Sequence, residues 1–245
     1  MSQRSEAWKD EATVRKYLEG IRGAIPQARD QIDVMSRLIE KAGGPVENFL
    51  DIGCGGGALT LALLDRYPKA RATLVDYSEP MLTETRERLA PYGDQCAILT
   101  ADLATQDWPS DVETRAPFDA IVSGFAIHHL TDERKRELYA EVFALLRPGA
   151  FFINIEHVSS PTEWLTEAFD DTLIDSFFAH QQSIGSGKTR DEVATEYVHR
   201  PDKQENILAP VDDQCAWLRD IGYEDVDCYL KLFELAVFGG RKPST

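Results

Sequence analysis

The chain has 245 residues, of which 43% are hydrophobic and 28% charged, and its 42 acidic and 26 basic residues give a formal charge of −16. This length suits one α/β domain with a small appendage, and the negative charge disfavours nonspecific attraction to nucleic acid or an anionic membrane. No apolar run approaches the ~20 residues that span a bilayer, and the polar start lacks the apolar core of a secretory signal. We therefore expect a cytoplasmic protein that acts on a small molecule.

The first part of the chain is predicted to be helical. Apolar residues recur at roughly helical spacing over residues 6–22. A second helix is predicted from Ile32 to Ala42, because Gly43 and Gly44 follow it as a stop signal. Residues 1–45 are therefore expected to form a helical cap in front of the core.

A glycine loop follows the next apolar segment. Gly53, Gly55 and Ala58 satisfy G-x-G-x-x-(G/A), in which small residues allow a tight turn, close approach of a ligand and packing of helix on strand. Asp51 lies two residues before the first glycine, where a dinucleotide-binding strand is normally apolar. A carboxylate at that place requires a cationic partner, and the α-amino group of S-adenosylmethionine (AdoMet) is suitable. The ordinary dinucleotide fold is the main rival.

Two further apolar runs end in an acid. Asp76 closes the second run about 20 residues after the glycine loop, the expected place for an acceptor of ribose hydroxyls. Asp102 closes a third run and is placed to accept a hydrogen bond from an adenine amine. Each acid alone is also consistent with a turn residue or a helix N-cap. Together they favour a ligand, because ligands of open α/β sheets bind at the carboxyl ends of the strands.

These motifs resemble those of the class I AdoMet-dependent methyltransferases. The matching segments are Leu50–Gly57, Val75–Asp76, Ala101–Leu103, Phe118–Ser123 and Leu146–Ala150, in that family's order and spacing. The resemblance implies that the glycine loop and Asp51 hold the methionine part, Asp76 the ribose, and Asp102 with Leu103 the adenine. The cofactor-site residues that it implies are Asp51, Gly53, Cys54, Gly55, Asp76, Tyr77, Met81, Asp102, Leu103 and Ser123.

The rest of the chain completes one domain. Residues 46–158 alternate strand-like and helical segments, which predicts a parallel sheet covered on both faces. Residues 159–211 form an acidic insertion, and the apolar residues at i+4 spacing within it predict a helical lid. Residues 212–241 add a helix and two strands joined closely enough for an antiparallel hairpin. By the resemblance, we expect a Rossmann-like, mostly parallel sheet of seven strands that ends in this hairpin.

Candidate catalytic residues are titratable groups at the ends of the fourth and fifth strands. His128 and His129 follow the fourth strand, and Glu156 and His157 end the fifth. Histidine titrates near working pH, so we expect His128 or His129 to serve as a general base. The other interpretation is that one of them only forms a hydrogen bond with the backbone.

No helical His pair supports a metal site. The cysteines, which we expect to be reduced, are far apart: Cys54, Cys96, Cys215 and Cys228.

The acceptor is predicted to be small and partly apolar or aromatic. Tyr17, Phe125 and Trp164 are expected to line its cavity, together with Arg200. The segment around Arg200 also resembles the carboxy-S-adenosylmethionine synthases of transfer RNA wobble-uridine modification, whose matching arginine pairs with the carboxylate of the modified cofactor. A further alternative is an AdoMet-binding scaffold without catalysis. No heptad or repeat indicates an oligomeric state.

Overall fold

A computed structural model describes residues 7–16, 24–200, 203 and 205–244. The strands are β1 Asn48–Ile52, β2 Arg71–Asp76, β3 Cys96–Thr100, β4 Phe118–Gly124, β5 Leu146–His157, β6 Glu224–Leu232 and β7 Leu235–Arg241. They form one sheet in the order β3-β2-β1-β4-β5-β7-β6, with β1 to β5 parallel and β7 antiparallel to both β5 and β6. The predicted seven-stranded Rossmann-like sheet with its C-terminal hairpin is confirmed.

Helices cover both faces of this sheet. They are α1 Glu11–Lys16, α2 Ala28–Ala42, α3 Ala58–Arg66, α4 Glu79–Leu89, α5 Asp132–Leu145, α6 Glu163–Ser183, α7 Arg190–Val198 and α8 Val211–Ile221. One face packs against α2, α3 and α4, and the other against α5 and α8. Because both faces are buried, the central strands are apolar almost throughout.

The N-terminal region differs from the predicted cap. A 3₁₀ turn at Ala7–Lys9 precedes α1, and between them the Asp10 carboxylate accepts a hydrogen bond of 2.8 Å from the Thr13 amide. The helix α2 begins at Ala28, four residues before the predicted start, and buries Met35 and Ile39 among side chains of the sheet. This helix therefore belongs to the layer that covers the sheet.

The predicted lid consists of α6 and α7. Thr162 caps the first helix, and Thr189 with Glu192 forms a capping box at the start of the second. The apolar side of α6 is buried against α7 and Leu235 in a small cluster of its own, against which Phe125 packs. The lid is thus attached to the end of β4 and to the hairpin, above the carboxyl ends of the parallel strands.

Candidate functional site

The glycine loop joins β1 to α3 through a left-handed backbone. Gly53, Gly55 and Gly57 have φ angles of 65°, 49° and 71°, which side chains rarely tolerate. The Cys54 amide donates to the Val75 carbonyl over 3.0 Å and so fixes the loop to β2. Sequence reasoning missed Gly57, which is the N-cap of α3; its place directly before the first helical residue was the available signal.

The loop makes a matched pair of glycine variants informative. A Cβ at Gly53 would lie 2.1 Å from the Ala126 Cβ, whereas one at Gly43, with φ +85°, would meet nothing within 4 Å. Both changes to alanine carry the ~1–2 kcal/mol cost of a left-handed backbone, and only Gly53→Ala adds a steric clash of about 1–3 kcal/mol. We expect urea unfolding to show the larger loss for Gly53→Ala; equal losses would contradict the described loop.

Asp51 lies on β1, and its buried carboxylate reaches the start of α3. Its Oδ2 accepts hydrogen bonds from the Thr60 amide at 3.2 Å and the Thr60 hydroxyl at 2.7 Å. The positive end of the helix dipole favours a carboxylate at this position. Asp51 therefore has a structural contact that sequence reasoning missed, and its predicted binding of an ammonium group stays a prediction.

Asp76 connects the glycine loop to the turn after β2. Its Oδ2 accepts from the Gly55 amide at 2.8 Å, and its Oδ1 accepts from the Ser78 amide at 2.9 Å. Burial raises the pKa of this carboxyl, while the backbone donors oppose the shift. The Tyr77 amide also acts on this carboxyl as a donor, and because an ionised carboxylate has about four lone-pair sites, it is still able to accept from a ribose hydroxyl. Met81 is buried beside Gly55, and Tyr77 is half-buried.

The remaining predicted cofactor residues lie at the same sheet edge. The Asp102 Oδ1 accepts from the Ala104 amide over 3.0 Å, as a turn residue does. The Leu103 carbonyl accepts from the Arg134 guanidinium over 2.8 Å, and the Ser123 hydroxyl donates to the Ile52 carbonyl over 3.0 Å. Asp76 thus binds the glycine loop at Gly55, Asp51 lies near the end of β1 that leads into this loop, and Asp102 follows β3 at the same sheet edge.

A buried carboxylate organises the opposite side of the edge. Glu156 accepts from the His128 Nδ1 at 2.6 Å, the His157 amide at 2.8 Å, the Ile127 amide at 3.0 Å and the His128 amide at 3.1 Å. The three backbone amides are donors, which suits an ionised carboxylate because it only accepts. Glu156 therefore fixes both the imidazole and the backbone of His128.

Burial shifts the titration of this pair. It raises the pKa of Glu156 to about 7. It also lowers the pKa of His128 well below the usual value, and the nearby charges of His157, Lys135 and Arg200 lower it further. The His128 imidazole is consequently neutral at neutral pH. The bond to Glu156 assigns its proton to Nδ1 and leaves a basic lone pair on Nε2.

This assignment predicts an unusual titration of His128. An ordinary imidazole gains a proton near pH ~6.5, whereas His128 is expected to stay neutral below that pH, because burial disfavours its charged form. Protonation then favours the unfolded chain, so this residue makes the free energy of unfolding fall as the pH drops below about 6.5. Nitrogen-15 NMR of the imidazole tests the assignment, and a midpoint near 6.5 would refute it.

His129 has a different environment. Its Nε2 accepts from the Trp8 indole N–H over 3.2 Å, and the carbonyl of Trp8 accepts from the Ser78 hydroxyl. The second predicted histidine is therefore bound to the N-terminal segment. Of the two candidates, His128 has the carboxylate partner that a general base requires.

The predicted acceptor residues lie in different places. Phe125, with φ 55°, packs between the sheet and the lid, and the Arg200 guanidinium lies 5.3 Å from the Tyr197 ring at the end of α7. Trp164 is 73% exposed on the first turn of α6 and does not join them. The remaining residue, Tyr17, lies outside the described residues.

A second buried carboxylate attaches the lid. Glu234, in the hairpin turn, accepts from the His157 Nε2 at 2.9 Å and from the Thr166 hydroxyl of α6 at 2.8 Å. Burial raises the pKa of Glu234, but hydrogen bonds from His157, Ser160 and Thr166 outweigh it and leave the pKa lowered. Sequence reasoning missed Glu234. Its position as an acid directly before a buried strand was the signal that could have identified it.

Two other kinds of site were sought in the described part of the chain. No group of histidine, cysteine and acidic residues there has the arrangement of a metal site. In the same residues, no helix combines the length and apolarity needed to cross a membrane.

The sheet order, the glycine loop and the strand-end acids define a Rossmann-like nucleoside-binding protein. Residues 49–149 match the sequence profile described as "Methyltransferase domain". The matched region is the one whose motifs resemble those of the S-adenosylmethionine-dependent methyltransferases, so the predicted resemblance is confirmed.

Curated relatives and solved structures are similar to the chain. A carboxy-S-adenosyl-L-methionine synthase of Chromohalobacter salexigens is 30% identical over 66% of this chain and 60% of its own. An uncharacterized methyltransferase of Geobacillus sp. is 34% identical over 59% of this chain and 61% of its own. The chain thus spans about three fifths of their lengths. A solved structure from Methanococcus maripaludis, described as a candidate S-adenosyl-L-methionine-dependent methyltransferase, is also similar. The match has a TM-score of 0.59 at 16% identity and covers 100% of this chain and 98% of that chain. It shows that the two proteins share a fold.

Proposed function

We propose that the chain binds AdoMet at the carboxyl edge of the sheet and transfers its methyl group to a small, partly apolar or aromatic acceptor under the lid. The observation that carries this proposal is that Asp51 and Asp76 lie on the neighbouring strands β1 and β2 at the left-handed glycine loop, with Asp102 just after β3 at the same sheet edge. The family match over residues 49–149 supports the same cofactor.

When bound, AdoMet supplies an electrophilic methyl group on a sulfonium. The residues of the chain then have to align the acceptor and exclude water, with a base only where the acceptor loses a proton. The lid, whose apolar side packs against Phe125, excludes water, and the His128 Nε2 accepts the proton. Glu156 holds the imidazole in the tautomer that this step requires.

An acceptor screen tests the activity. The protein is incubated with AdoMet and panels of phenols, amines and aromatic acids, and the formation of S-adenosylhomocysteine is measured. We expect turnover on at least one class, and His128→Gln is expected to lower kcat on a proton-bearing acceptor by about 100-fold. AdoMet binding without turnover on any acceptor would favour a non-catalytic scaffold.

A carboxy-S-adenosylmethionine synthase is the second candidate. The observation in its favour is Arg200 at the end of α7, whose positive charge lowers the pKa of the proposed base His128. A guanidinium is able to bind a carboxylate through two parallel hydrogen bonds. Mass spectrometry of the bound cofactor separates the candidates, since a carboxylated AdoMet that is lost in Arg200→Met would favour the synthase.

A further inference from the structure

Lys135 is a buried cation on α5. Its side chain is 1% exposed, and its ammonium donates to the Asp132 Oδ1 over 2.7 Å and to the Ile207 carbonyl. The Asp132 side chain is 46% exposed, so solvent weakens this ion pair. Because apolar residues often replace buried ion pairs without loss of stability, stability alone gives little reason for a lysine here.

The carbonyl that Lys135 binds belongs to a residue that also contacts the proposed base. The Ile207 amide donates to the His128 carbonyl over 2.8 Å. The Ile207 side chain is 42% exposed, so backbone hydrogen bonds fix this residue more than side-chain packing does. Lys135 and the His128 carbonyl are therefore linked through two hydrogen bonds of the Ile207 backbone, one on each side of its Cα.

This chain of bonds lies where the lid returns to the core. Ile207 lies between α7 of the lid and α8 of the core. We propose that Lys135 is a positioning residue that couples this end of the lid to His128 through the backbone of Ile207. The functional meaning of the coupling rests on the proposed role of His128 as base.

The positive charge of Lys135 also affects the protonation of His128 and Glu156. It lowers the pKa of His128 and that of Glu156, which favours a neutral imidazole beside an ionised carboxylate. The other groups that act on the pair are His129, His157 and Arg200. Loss of the ammonium is therefore expected to change both the geometry and the protonation of the pair.

The test compares Lys135→Met with Arg134→Met. Arg134 is also a buried cation of α5, but it binds the Leu103 and Thr105 carbonyls and Glu141. Hydrogen exchange of the Ile207 amide is measured at equal global stability, with nitrogen-15 NMR of the His128 imidazole. We expect Lys135→Met to speed exchange at least ~10-fold and to shift the imidazole signals, and Arg134→Met to do neither.

Unchanged exchange and imidazole signals in Lys135→Met, or equal changes in Arg134→Met, would overturn the proposal. If Lys135→Met does not fold, Lys135→Gln keeps one neutral donor and is expected to give a smaller change in the same direction; no change would be equally decisive. Both readouts are taken without substrate. Failure of the wild-type protein to bind AdoMet would instead refute the proposed function and leave the coupling intact.

Discussion

Asp76→Ala is expected to weaken AdoMet binding by about 100-fold or more in calorimetry. The proposed ribose contact consists of hydrogen bonds to an ionised carboxylate, each of which contributes about 1.5–3 kcal/mol. Two such bonds correspond to at least ~3 kcal/mol, and 1.4 kcal/mol is roughly a factor of ten. Asp94→Ala is the matched control, because that aspartate is exposed in the turn before β3. This variant should bind AdoMet as the wild type does.

Asp76 also supports the glycine loop, so its direct contact has to be separated from this structural role. A cycle that combines the variant with a 2′,3′-dideoxy analogue of S-adenosylhomocysteine does this. The wild type should lose affinity when the hydroxyls are removed, and Asp76→Ala should lose almost none. If both proteins lose the same amount, Asp76 does not bind the ribose.

Glu156→Ala is expected to cost at least ~3 kcal/mol of unfolding free energy, because it leaves several buried donors unsatisfied at about 1–3 kcal/mol each. Glu156→Gln is the sharper variant, since its amide nitrogen would face the donors that the carboxylate now accepts from. We expect it to shift the nitrogen-15 signals of His128 toward the other tautomer. Urea unfolding measures the first effect and NMR the second.

Glu234→Gln is the control for this experiment. Glu234 is a buried carboxylate that also binds a histidine, but its partners are His157 and the lid residue Thr166. It is expected to destabilise the lid while the His128 signals change little. Equal changes of these signals in both variants would contradict the specific pairing of Glu156 with His128.

Local patterns were sufficient to predict the sheet and the edge of it at which the strand-end acids lie. The alternation of strands and helices predicts a parallel sheet, and its geometry places the acids at the carboxyl ends of β1, β2 and β3 along one edge. Asp51 and Asp76 could therefore be placed at that edge from their own segments of sequence. The contacts of Asp51 with Thr60 and of Asp76 with Gly55 could not, because they depend on side-chain rotamers.

Other parts of the site depend on contacts between distant residues. Trp8 and His129 are 121 residues apart, and Glu234 and His157 are 77 apart, so no periodicity links them. Trp164 was misplaced for a geometric reason. It precedes Phe169 by five residues, a rotation of about 140° on an α-helix, which turns it away from the buried side.

Native mass spectrometry with equimolar AdoMet and NAD tests the central claim, that the strand-end acids form an AdoMet site, most directly. We predict one AdoMet per chain in the wild type, displaced by S-adenosylhomocysteine, with no NAD bound and strongly reduced AdoMet binding to Asp76→Ala. Binding of NAD in preference to AdoMet, or undiminished AdoMet binding by Asp76→Ala, would contradict it.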